Sequence, residues 1–195
     1  MRVTTELSEM LKYLIPKFSI RDLPILIGFT VLGALIAGTY GIVHDRVTYW
    51  IGPEYFTRFK FDQFNWARWT DNDRVFVATI GFLATWWVGA IVAWILTRRM
   101  LANQRRDVAY RKIWLGFGIV FASVLLFGIG GYAYGLIRGP DADYSYWDGA
   151  FRLYGVTDHW PFIRVGYIHN AGYMGGLAGL ILTYILIRPQ KNGHV

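Results

Sequence analysis

Among the 4 histidines and 13 carboxylates of this 195-residue chain, five are candidate metal ligands by their place along it: His44, Asp45, Glu54, His159 and His169. Imidazole and carboxylate together suit zinc, manganese, iron or copper. Two inward-facing histidines are equally a haem-ligand set. A metal in such a site would polarise a substrate or activate water, with Glu54 available as general base. The spacing forms no compact motif: H-E-x-x-H does not occur, and His44 and His169 are far apart in sequence. A competing reading has hydrogen-bonded histidines pinning a loop to the body of the protein, since buried polar groups need partners. Proton handling is a third. The chain has no cysteine, which removes thiolate metal sites, iron–sulfur clusters and disulfides.

The elements that must position these residues are hydrophobic. Segments 24–43, 75–97, 113–137 and 165–187 contain no Asp, Glu, Lys or Arg, and run for 20, 23, 25 and 23 residues. About 20 helical residues cross a ~30 Å hydrocarbon layer. The expected fold is therefore all-α, a four-helix transmembrane bundle forming a single membrane domain over 1–195. Basic residues set its orientation. The tail 1–23, the loop 98–112 and the C-terminus hold twelve basic and four acidic residues, against eight and nine in the loops 44–74 and 138–164. Both termini are thus expected to be cytoplasmic, with two aromatic-rich loops facing outward. Leu7, Met10, Leu11, Leu14, Ile15 and Phe18 recur at helical spacing, which predicts an amphipathic helix on the inner leaflet or against the cytoplasmic loop. Asp22 followed by Pro24 marks a helix start.

The net charge of +7 is spread around apolar blocks, so the expected partner is the lipid bilayer and not nucleic acid. His169 shares a helix face with Gly166, Gly172 and Gly176, read as the packed face and so turned inward. His44 continues a stripe of Gly33, Ala37, Tyr40 and Gly41. The two imidazoles meet if the first and last spans are neighbours, at the level of Asp45, Glu54, His159 and Asn170. Trp86 and Trp87, in mid-span, read as large core packing, with a slot for a lipid tail or quinone as the alternative. From about Glu54 the first outward loop reads as a flat or reentrant helix, although Phe59 and Phe61 alternate like a strand. Asp141 and Asp143 do not open a calcium loop, because Tyr146 and Arg152 stand where glycine and glutamate are needed.

No span carries a carboxylate, lysine or arginine near its centre, which argues against proton-coupled pumps and voltage sensors. Two stretches, HDRVTYWIGPEYFTRFKFDQF at 44–64 and RVGYIHNAGYMGG at 164–176, resemble segments of a group of uncharacterised bacterial four-span membrane proteins. Those proteins typically carry glutamine at the place of Arg46 and serine near Gly52. The resemblance implies the bacterial inner membrane and supports the topology; it implies no activity. The leading functional expectation is an accessory or scaffolding subunit of a larger membrane complex, with a membrane-protein partner or a second copy. The alternative is a metal- or haem-binding enzyme or redox protein with its site at the outer face. Whether the chain is an enzyme stays open at this point.

Overall fold

The computed structural model describes residues 19–102 and 104–188. The expected N-terminal amphipathic helix lies outside the described residues. The chain is helical, with no strand among the described residues. Four long helices carry it: α1 (Leu23–Ile51), α2 (Asp73–Leu101), α3 (Arg106–Arg138) and α4 (His159–Leu186). The first three are long and apolar enough to cross a membrane, which points to a membrane protein. The polar pair His169 and Asn170 and a series of glycines interrupt the apolar run of α4.

The helices overrun the charge-free stretches. α1 continues to Ile51 instead of ending near Val43, so His44 and Asp45 sit inside a helix and not in a loop. The buried Asp45 side chain has a partner across the molecule, with His169 Nε2 3.2 Å from its Oδ1. Pro24 stands in the first turn of α1 as expected, although Asp22 makes no side-chain cap bond. α2 is capped by Asn72, whose Oδ1 accepts from the backbone N–H groups of Arg74 and Val75. Asp73 in its first turn and Arg98 and Arg99 in its last match the helix dipole. Gly139 ends α3 at φ 72°, a conformation that favours glycine.

The connections alternate ends. Segments 52–72 and 139–158 lie together at one end, the loop end; the facing ends of α2 and α3, at Leu101 and Arg106, lie at the other, the turn end. After Gly52 the chain coils through π-helical turns at Tyr55–Lys60 and continues helically to Gln63, in keeping with a helical reading of this loop and not a strand. Phe56, Phe76, Ile80, Phe162 and Ile163 fill a closed core beneath the loops. Leu26, Met100, Ala109 and Ile113 fill a second at the turn end, where Arg106 also pairs with Asp22 at 2.9 Å.

Between these cores the helices divide into two tight pairs, α1 with α2 and α3 with α4, which approach each other much less closely. Glycine explains the tightness. A Cβ at Gly81 would collide with the backbone of Gly41, and one at Gly33 would lie 2.8 Å from the Gly89 carbonyl oxygen. In the other pair a Cβ at Gly175 would lie 2.7 Å from the Ser123 carbonyl oxygen and one at Gly131 2.5 Å from that of Tyr167. Close backbone approach is how helices associate where lipid offers no hydrophobic drive. Thr85 Oγ1 adds a cross-helix bond to the Ala37 carbonyl at 2.7 Å. Replacing Thr85 with valine should lower stability by about 0.6–1.7 kcal/mol, the range for such bonds in membrane helices; chemical denaturation in mild detergent measures it.

Candidate functional site

At the loop end of the gap between the pairs, α1 contributes His44 and Asp45 and α4 contributes His169. Their candidate ligand atoms all lie within 4.8 Å of one another. Asp45 is 3% exposed and His169 7%. The His44 and His169 rings meet edge to face with centroids 4.8 Å apart. Tyr55 stacks on the other side of His169 at 4.9 Å, which fixes the plane of that ring.

The hydrogen bonds of His169 determine what the cluster holds. Its Nδ1 lies 2.9 Å from the Val165 carbonyl, which only accepts, so Nδ1 carries hydrogen. Its Nε2 lies 3.2 Å from Asp45 Oδ1. A neutral imidazole would then present a lone pair to a carboxylate lone pair in a buried setting. Something positive must stand between them: a proton on one of the two atoms, or a metal ion. The arrangement matches metal-binding histidines, whose second nitrogen usually donates to a carbonyl or carboxylate. His44 is held similarly, with Nδ1 3.0 Å from the Tyr40 hydroxyl, which leaves Nε2 as its ligand atom.

The spacing fits a small ion better than haem. A tetrahedral ion with ligands at about 2.1 Å keeps them about 3.4 Å apart. The His169–Asp45 pair is already near that separation, and His44 has to close in by rotating its ring. A bis-histidine haem would hold the two ring centroids about 6 Å apart with the macrocycle between them. The 4.8 Å edge-to-face contact leaves no room for that plane.

The other candidates are engaged elsewhere. Glu54 accepts from the Thr157 N–H at 2.7 Å, the Thr157 hydroxyl at 2.6 Å and the Asp158 N–H at 2.8 Å, joining the first loop to the start of α4. Its carboxylate is therefore occupied and offers no free oxygen pair for a general base. His159 stacks flat on Phe151 at 3.9 Å and contacts the Val156 carbonyl through Nε2. Asn170 is exposed. Partial desolvation raises the pKa of Glu54, but the bonds from Thr157 and Asp158 and the Arg58 charge outweigh it and hold it below the usual glutamate value. A depressed folded pKa gives stability that is full above the unfolded value near 4.5 and is lost as pH falls through the folded one. Glu54→Ala should cost about 1–2 kcal/mol at pH 7, at the low end for charged hydrogen bonds because the site is partly solvated. The difference in melting temperature from the parent chain should shrink between pH 5 and pH 3; a difference that stays constant would remove Glu54 as the tie.

From the cluster an apolar cavity of about 390 Å³ runs between the helix pairs toward the middle of the molecule. Lys60 closes its loop end. This lysine is 7% exposed; its Nζ donates to Gln63 Oε1 at 3.1 Å and lies 5.4 and 5.5 Å from the Phe59 and Phe64 ring centroids. Burial lowers its pKa, and the Asp45 charge partly opposes that. Lys60 carried no signal in the sequence beyond its place among phenylalanines. Trp87 lines the cavity and is half exposed, so it is not core packing. Gly172 and Gly176, expected on the packed face of α4, line the cavity too; Gly175 and Gly179 do the packing. His169 is inward because its face borders this cavity.

No family model, curated protein or solved structure matches the chain.

Proposed function

We propose that this chain is a four-span metalloprotein of the bacterial inner membrane, binding one divalent transition-metal ion through His44, Asp45 and His169 near the outer surface. The bond pattern of His169, which demands a positive charge between Nε2 and Asp45, is the observation that carries this reading. Two histidines and one carboxylate are a common iron or zinc ligand set, and three protein ligands leave positions open for water or substrate. Open positions are a feature of catalytic centres more than structural ones, so an enzymatic or redox role follows. The basic residues Arg98, Arg99, Arg105, Arg106, Arg111 and Lys112 gather at the turn end, which supports a cytoplasmic turn end and an external metal centre.

Metal loading of the purified protein tests the reading. Elemental analysis after incubation with zinc, iron(II) or manganese and desalting should find one ion per chain. The ion displaces the proton between His169 and Asp45, so about one proton should be released per ion bound. Absence of metal at micromolar loading would overturn the proposal and leave a proton as the resident cation.

A second reading, the accessory subunit, is favoured by the loop-end aromatics. Trp50, Trp66 and Tyr146 are 85, 76 and 93% exposed, and aromatic side chains are enriched where proteins meet. Metal-free protein that co-purifies with a larger complex supports it.

A further inference from the structure

The cavity between the helix pairs has a shape and a charge that identify its occupant. It reaches along α1 from His44 to Gly33 and along α4 from His169 to Leu180. Both runs are eleven residues, or about 16 Å of helix. One leaflet of a ~30 Å hydrocarbon core is about 15 Å deep, so the cavity has the length of a single lipid chain in its own leaflet. The walls are apolar, and several lining residues are also open to the outside: Trp87 at 48%, Ile91 at 51%, Phe121 at 44% and Leu177 at 62% exposure. An opening bordered by such side chains faces the hydrocarbon sideways. A chain can enter from the bilayer without crossing water.

The polar groups are confined to the loop end, around Tyr40, His44, Asp45, Lys60 and His169. Lys60, buried at this end, has no carboxylate within 4 Å among the described residues, and its hydrogen bond goes to the neutral amide of Gln63. A buried charge without a counter-charge is costly, so this end of the cavity favours an anion. Ligand pockets are typically of this volume, mostly apolar with a few polar groups that fix orientation.

We infer that the cavity binds a single-chain amphiphile with an anionic oxygen headgroup, its chain in the slot and its head between Lys60 and the His44/Asp45/His169 cluster. A fatty acid and a monoalkyl phosphate share this chemistry. The inference rests on the membrane reading above. It does not require the metal, because the apolar walls and the buried Lys60 at their end are present without one.

Binding of three sixteen-carbon probes tests it: hexadecanoate, hexadecyl phosphate and hexadecanol, each titrated against the full chain in dodecyl maltoside with affinity expressed per mole fraction in the micelle. At least one anion should bind ten-fold or more tighter than the alcohol, and the comparison between the two anions identifies the headgroup. Lys60→Gln should erase that preference and leave hexadecanol unchanged. Gly172→Leu fills the slot at a position where an added Cβ meets nothing within 4 Å. It should weaken all three probes at least ten-fold with an unchanged melting temperature. Hexadecanol binding as tightly as both anions overturns the headgroup, and unchanged binding in Gly172→Leu overturns the slot. Metal loading of the same samples separates the two proposals, since anion binding by protein that takes up no metal at micromolar loading sinks the metal centre alone.

Discussion

His169→Ala will lose bound metal. Structural metal sites bind with about 10–16 kcal/mol over four ligands, so one ligand is worth roughly 3 kcal/mol, or about a hundredfold in affinity. Protein that carries one ion per chain should retain less than a tenth of that after dialysis against a weak chelator. His159→Ala and Glu54→Ala should keep their ion, since one side chain lies on Phe151 and the other on Thr157. Tyr40→Phe removes only the partner of His44 and should cost about ten-fold, as losses in the outer shell do. Equal metal content in His169→Ala and the parent would place the ion elsewhere.

Gly81→Val should be the most disruptive single change in the helix packing. Gly81 and Gly41 meet backbone to backbone, and an added Cβ at either would collide with the other helix. No flexible side chain can give way. The helices must separate along their contact, which also breaks the bond from Thr85 to the Ala37 carbonyl. Overpacking of a well-packed contact typically costs 1–3 kcal/mol, and backbone-to-backbone contact puts this case at or above the upper end. The expected result is a loss of about 3 kcal/mol or more in denaturation, or protein that no longer accumulates in the membrane. Gly130→Val is the control: an added Cβ there meets nothing within 4 Å. It should change stability by less than about 1 kcal/mol, the usual scale of a glycine replacement in a helix. Similar losses in both variants would show that glycine itself, and not the close approach, matters.

The long helices were legible because charge-free runs of span length have one economical solution in lipid. Their ends were not, because a helix does not stop where its charges begin. Asp45 is buried within α1 against a partner on α4 that no local pattern reveals. His44 and His169 were readable as lying at one depth, but the neighbouring of α1 and α4 was not, and the glycine face that turned His169 inward borders the cavity and not a helix. Lys60 could not be foreseen, since its role comes from the π-helical turns that carry it to the cavity mouth. Glu54 and His159 looked equivalent to the three clustered residues by type and level. Only the course of the 139–158 segment gives them different partners. Trp87 and Gly172 show the same limit: a mid-span aromatic and a helix glycine look the same whether they border a neighbour or an empty slot.

The division into two glycine-locked pairs also sets an order of assembly. Each pair joins helices adjacent in sequence, so the first can zip up while the second is still being made. The candidate site is divided between them: His44 and Asp45 belong to the earlier hairpin, His169 to the later one. The centre cannot exist until the hairpins dock, and an ion seated there becomes a rivet across the seam. Loss of the ion should therefore loosen the joint between hairpins while leaving each of them closed.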